Sequence, residues 1–265
     1  GATLRGTGLF SGNVVNQGTI APGNSPGIIT INGDYAQSSG SLLLLELGGL
    51  SPGDTDNHHD QLDVYGAVTL AGNLSVEFWN NFLPASGQSF VIINNDGIDP
   101  VVGTFDGLAN NTTLTVGLAT FRINYDGGTG NDVVLTVIES GYFYVTNTND
   151  SGPGSLREAT NNANLNPGDD VITFDPDLFS SGPVTILLTS TELVITDTAG
   201  QTTLTGPGSA LLSISGGDAT RVFRVGIGAD LSLEGLAVVQ GRSAGSGGGM
   251  LNLGTTALTR VTFVS

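Results

Sequence analysis

The chain has 265 residues, of which 24 are acidic and 7 basic, for a formal net charge of −17, and such a surface repels nucleic acid and anionic lipid as partners. It has no cysteine, which excludes disulfides and thiolate metal sites, and all seven basic residues are arginines, which excludes lysine Schiff bases and Lys–Asn isopeptide cross-links within the chain. No apolar run reaches the roughly 18 residues of a membrane-spanning helix, so no membrane insertion is expected of this segment.

The opening "GATLRGTGLF" shows no signal peptide and reads as the middle of a repeat, which predicts a processed or excised segment. From there, short apolar or alternating runs recur between Gly, Asn and Asp turns, the pattern of an all-β chain. They are "GIITING" (27–33), "SLLLLEL" (41–47), "NLSVEFW" (73–79), "SFVII" (89–93), "DVVLTVI" (132–138), "VTILL" (184–188) and "LVIT" (193–196). Leu74, Val76 and Phe78 share one face of their strand. Leu42–Leu45 is apolar on both faces, which predicts a strand covered on both sides or paired in a tight coil.

Between the second and third runs, "DTDNHHDQLDV" gathers Asp54, Asp56, His58, His59, Asp60 and Asp63. Adjacent histidines on a strand point in opposite directions, so a solvated acidic loop is the better reading than a transition-metal site. Further on, "GGTGNDVVL" (127–135) fits the nonapeptide of calcium-binding β-rolls, with Asp132 as carboxylate ligand and Asp126 nearby. The motif occurs once, and a plain hairpin turn is preferred. Asp126 and Asp132 remain the calcium candidates, and no cofactor is required.

A composition shift near residue 140 divides the chain into a β-rich module, 1–141, and a second domain, 142–265. The second opens with a capping box: in Ser155-Leu156-Arg157-Glu158 the serine accepts from the Glu158 amide and the glutamate reaches back to the Ser155 amide. Leu156, Ala159 and Ala163 form one apolar stripe, and Asn166-Pro167-Gly168 stops the helix. A short capping helix near 155–164 is therefore expected to lay that stripe over the open end of a β-helix. Anion binding at the helix N-terminus is the alternative, but the Gly-Lys-Ser/Thr ending of a phosphate loop is missing and Glu158 matches Arg157. Tyr142, Phe143 and Tyr144, just upstream, are read as packing a junction rather than stacking on sugar.

Catalysis needs facing carboxylates. Asp169/Asp170, Asp175/Asp177 and Glu192 come from one end of the domain rather than from stacked coils, and the two histidines lie side by side, so no enzyme is expected. Arg221, Arg224 and Arg242 are the basic residues at a depth a lyase would use. Near the C-terminus, "LSLEGLAV" (231–238) matches "TALTRVTF" (256–263) at an offset of 25 residues, the spacing of one coil in a β-solenoid. The glycines of the intervening "QGRSAGSGGGM" are expected to supply left-handed corners. The chain stops inside a strand of this repeat, which predicts that the natural protein continues.

These residues carry a resemblance. "VTNTNDSGPGSLREATNNAN" with "GDDVITFDP" resembles the CSLREA-type segment that opens right-handed parallel β-helices in large bacterial surface proteins, with Gly154 at the usual cysteine position. "GSGGGMLNLGTTALTRVTF" is similar to the coils of polymorphic outer-membrane protein repeats, without the Asn that commonly follows the Phe. "NQGTIAPGNSPGIITINGDYAQSSGSLLLLELGG" with "HDQLDVYGAVTLAGNLSVEF" resembles the passenger-type β-solenoid units of autotransporter-like adhesins. The resemblance implies an all-β chain: a parallel β-helix behind a smaller solenoid- or sandwich-like module. It also implies a non-catalytic adhesin, stalk or fibre segment at the cell surface, partnered by itself or by cell-surface carbohydrate. The alternative it leaves open is a carbohydrate-active β-helix enzyme, a polysaccharide lyase or glycoside hydrolase.

Overall fold

The computed structural model describes residues 1–264, and the chain divides into two compact units, Gly1–Ser140 and Gly141–Ser265. The N-terminal unit is built from coils of three short strands, each strand pairing in parallel with its equivalent in the next coil. One ladder runs through Thr3–Gly6, Thr19–Pro22, Leu42–Leu47 and Asn73–Phe78, and its register stacks Leu4, Ile20, Leu43 and Leu74. A second runs through Gly8–Ser11, Ile28–Asn32, Gln61–Val64 and Ser89–Asn95, stacking Phe10, Ile31, Val64 and Asn95. The third joins Val14–Asn16, Tyr35–Gln37, Val68–Leu70 and Val102–Gly103.

Alternation fills the interior. In Leu42–Leu47, Leu43, Leu45 and Leu47 are fully buried, while Leu42 and Leu44 are half-buried on the other face. The expected two-sided cover therefore comes from ladder neighbours on both edges and a partly shielded outer face. After the fourth coil the chain changes plan. Thr113–Val116, Ala119–Gly127 and Asp132–Ser140 form an antiparallel meander that pairs with Ser89–Asn95, the last strand of the second ladder. This occupies an edge that would otherwise offer unpaired amides and carbonyls. Phe121 from the meander packs against Phe78 and Phe90, with ring centroids 6.3 and 6.1 Å apart.

The C-terminal unit has three all-parallel ladders. The longest stacks Phe143, Ile172, Leu204, Leu233 and Leu258, and the next stacks Ile186, Ile214, Val238 and Phe263. Leu193, Phe223 and Met250 define the third. The echo seen in the sequence is thus a physical rung: Leu233 lies on Leu258 and Val238 on Phe263. In the first coil a helix, α1 (Leu156–Ala163), follows the only strand, so the second and third ladders start one coil later, at Val184–Leu187 and Leu193–Ile195.

The glycine-rich corner differs from expectation. Left-handed φ falls on Gln240 and Gly247, whereas Gly241 and Gly248 serve close approach: a Cβ on either would lie 2.3 Å from the other's carbonyl oxygen. The corner between Ala237–Val239 and Met250–Asn252 folds back on itself backbone to backbone there, which only glycine permits.

Inward rungs carry the stability. Leu233→Ala removes a fully buried side chain between two coils and is expected to cost about 3 kcal/mol, whereas the outward Ser232→Ala stays within about 0.5 kcal/mol. Urea unfolding of the two variants reads the difference.

Candidate functional site

The densest set of specific polar contacts surrounds α1. Ser155 has extended backbone (φ −80°, ψ 157°) and its Oγ accepts from the Glu158 amide at 3.1 Å. Glu158 reaches back as a capping box requires, but to the Gly154 amide, at 2.6 Å. The Ser155 amide is already engaged with the Gly152 carbonyl, at 3.2 Å, which displaces the bond one residue upstream. Leu156, Ala159 and Ala163 are buried and belong to one apolar cluster with Val145, Ile172 and Ile195. Thr160 completes the buried face: its hydroxyl donates to the Leu156 carbonyl at 2.8 Å, which lets a polar residue sit inside.

Arg157 is not matched by Glu158. Its guanidinium pairs with Asp150 at 2.6 Å and donates to the carbonyls of Thr191, at 2.6 Å, and Glu192, at 3.1 Å. The loop before α1 is thereby clamped to the segment leading into Leu193–Ile195. Burial pushes the Asp150 carboxyl up, but hydrogen bonds from Ser190, Arg157 and Thr189 outweigh it and hold the group at about 2. Glu192 pairs with Arg221 at 2.5 Å and with Arg224 at 3.9 Å.

The carboxylates weighed for hydrolysis hold turns. Asp169 accepts from the Gln201 amide at 2.9 Å, and Asp175 caps the short 3-10 helix Pro176–Phe179 by accepting from the Asp177 amide at 2.9 Å. Asp170 is fully buried and accepts from Asn166 at 2.8 Å. Burial pushes its carboxyl up to about 6, opposed by the Asn166 bond and reinforced by the Asp197 and Asp169 charges.

The calcium candidates occupy different environments. Asp132 is buried and both its oxygens accept hydrogen bonds, one from the Asn95 amide at 2.9 Å and the other from the Thr129 amide at 2.8 Å. It closes the hairpin between Ala119–Gly127 and Asp132–Ser140 and ties it to the last coil. Asp126 is exposed and accepts from Asn110 at 3.4 Å. Among the described residues no three His, Cys, Asp or Glu side chains gather as a metal cluster.

The acidic stretch 54–64 is an insertion as far as Asp60, leading from the first ladder of the third coil into the second-ladder strand Gln61–Val64, and it is only partly solvated. Asp54 and Asp56 are exposed, and Asp56 accepts from Trp79 Nε1 at 2.9 Å. His59 and Asp60, in contrast, are buried. The His59 ring meets Phe90 edge-on at 5.4 Å, and its Nδ1 lies 3.0 Å from the Gly49 carbonyl. Asp60 accepts from the Gly27 amide at 2.7 Å and the Glu46 amide at 2.8 Å, pinning the insertion to two neighbouring strands. Charge density made this loop read as solvated, and composition carries no signal for two backbone amides waiting inside.

No protein-family model matches the chain, and no solved structure matches it. Among curated proteins it is similar to "Adhesin BmaC autotransporter" from Brucella suis biovar 1 (strain 1330), with 44% identity over 66 residues. The match takes in 24% of this chain and 2% of that protein's length.

Burial pushes the Asp60 carboxyl up to about 7, against the two amide bonds that favour its charge. A raised native pKa gives stability that is complete below the unfolded value near 3.8 and is lost as pH rises through 7. Asp60→Asn cannot titrate, so its stability deficit relative to the parent chain is expected to be larger at pH 5 than at pH 8, by about 2 kcal/mol. Thermal melts of both proteins across that range check it. A gap that stays constant with pH contradicts the assignment.

Proposed function

We propose that this chain is a non-catalytic structural segment of a secreted bacterial cell-surface adhesin, stalk or fibre, giving extension together with self- or surface-association. The observation that carries the reading is the run of parallel ladders in each unit, with inward aliphatic rungs and short corners. Such a plan yields stiffness from repetition, each coil bonded along its length to the next. Of the carboxylates weighed for a hydrolase, Asp169 and Asp175 are engaged with backbone amides and Glu192 with arginines. The named role of the curated relative, an autotransporter adhesin, points the same way, and so does an acidic surface unsuited to nucleic acid or lipid.

The partners that suit this reading are a second copy of the chain or cell-surface carbohydrate. Exposed apolar side chains on the N-terminal unit, Leu9 and Val15, support association. Displayed on a non-adherent bacterium, the chain is expected to raise autoaggregation or adherence to glycan-coated surfaces. The purified chain is expected to release no sugar or unsaturated uronate from a panel of acidic and neutral polysaccharides. Turnover of any of them, or display without gain of either association, contradicts the proposal.

A further inference from the structure

Three buried oxygen atoms in the second and third coils of the C-terminal unit have no hydrogen-bond partner: Asp170 Oδ2, Asp197 Oδ2 and Thr202 Oγ1. Asp170 and Thr202 are fully buried, and Asp197 is 7% exposed. Native interiors satisfy such groups, and two carboxylates left this way call for a compensating charge.

The fold brings the three together. Asp170 and Thr202 are register partners on adjacent parallel strands, roughly 4.8 Å apart, on an inward rung that continues to Leu231. The corner carrying Asp197 lies directly on the corner before Asp170: a Cβ at Gly200 would fall 2.1 Å from the Gly168 backbone, and the Gln201 amide donates to Asp169. The chain just beyond α1 orients both acids. Asn164 Oδ1 accepts from the Thr196 amide at 2.7 Å and the Asp197 amide at 3.3 Å, while Asn166 donates to Asp170 Oδ1 at 2.8 Å. Asp197 Oδ1 accepts from the Ala199 amide at 2.9 Å. Each carboxylate therefore has one oxygen fixed by the protein and one left over.

Among the described residues the arginine salt bridges go to Asp150, Glu192 and Glu234, and none reaches this corner. Two carboxylates and a hydroxyl are hard oxygen donors, and one divalent cation neutralises both charges. We infer that Asp170, Asp197 and Thr202 hold a calcium-type divalent cation that pins the third coil of this unit to the second. The site is separate from Asp126 and Asp132: Asn95 Oδ1 and Asp99 Oδ2 near Asp132 are also unpartnered, but both Asp132 oxygens already accept backbone amides and Asp126 is exposed.

The test is calorimetric titration of the EDTA-treated full chain with CaCl2 at pH 7.5, with thermal melts in parallel. The expected result is one ion bound per chain with an affinity of about 10⁻⁴ M, and a melting temperature about 5 °C higher in about 10 mM CaCl2. Asp197→Asn is expected to abolish the shift, and Thr202→Val, which keeps the side-chain shape, to weaken binding about tenfold. Asp126→Asn is expected to retain the shift in full. No binding by the parent chain, or a shift surviving Asp197→Asn, overturns the site. A melting temperature that ignores calcium but climbs on acidification also overturns it, because a proton shared by the two acids is then the compensating charge.

Discussion

Parallel stacking in register is the constraint from which the rest of this molecule follows. When equivalent strands of successive coils pair in parallel, each inward side chain sits on its counterpart, and the core becomes a set of columns. The column Phe143, Ile172, Leu204, Leu233 and Leu258 is one such stack, and Leu4, Ile20, Leu43 and Leu74 another. A column demands aliphatic residues at fixed offsets, short corners between strands and, at each end, something to cover the last rung. The two units meet that last demand in different ways. One carries an antiparallel meander along the last strand of a ladder. The other begins with a helix laid against its first coil, its apolar stripe joined to the column beneath.

The acidity of the chain acquires a structural meaning in this setting. Corners expose backbone amides that no ladder satisfies, and aspartate is a short acceptor able to reach them. Asp60, Asp132, Asp169 and Asp175 all accept from backbone N–H groups, two of them across neighbouring coils. Asp150 gathers Arg157 and two hydroxyls to fasten the loop before α1. An excess of acid over base is what results when carboxylates hold corners and few of them need an arginine.

Much of this was legible in the sequence, because periodicity and capping are local properties. The strands, the 25-residue offset and the buried stripe Leu156, Ala159 and Ala163 follow from spacing alone. Long-range polar partners did not. Nothing near Arg157 in sequence favours Asp150 over the adjacent Glu158; the choice depends on a loop that brings Asp150 and Thr191 to one side. Thr160 looks like a surface residue until its hydroxyl is seen bonded within its own helix. His59 and Asp60 are hidden by the charge of their neighbours, and their burial depends on Phe90 and on the amides of two other strands. At Gly241 and Gly248 the residue type was informative but its reason was not, since close approach and left-handed dihedrals both select glycine.

The central claim is that α1 seals the first rung and that the strands beneath it depend on that seal. Amide hydrogen exchange in a Leu156→Ala variant tests it most directly. The account predicts faster exchange in Tyr142–Val145, Asp170–Phe174 and Leu193–Ile195, the strands α1 packs against, with the strands of Gly1–Ser140 unchanged. Unaltered protection of those three strands, with α1 itself loosened, would contradict it.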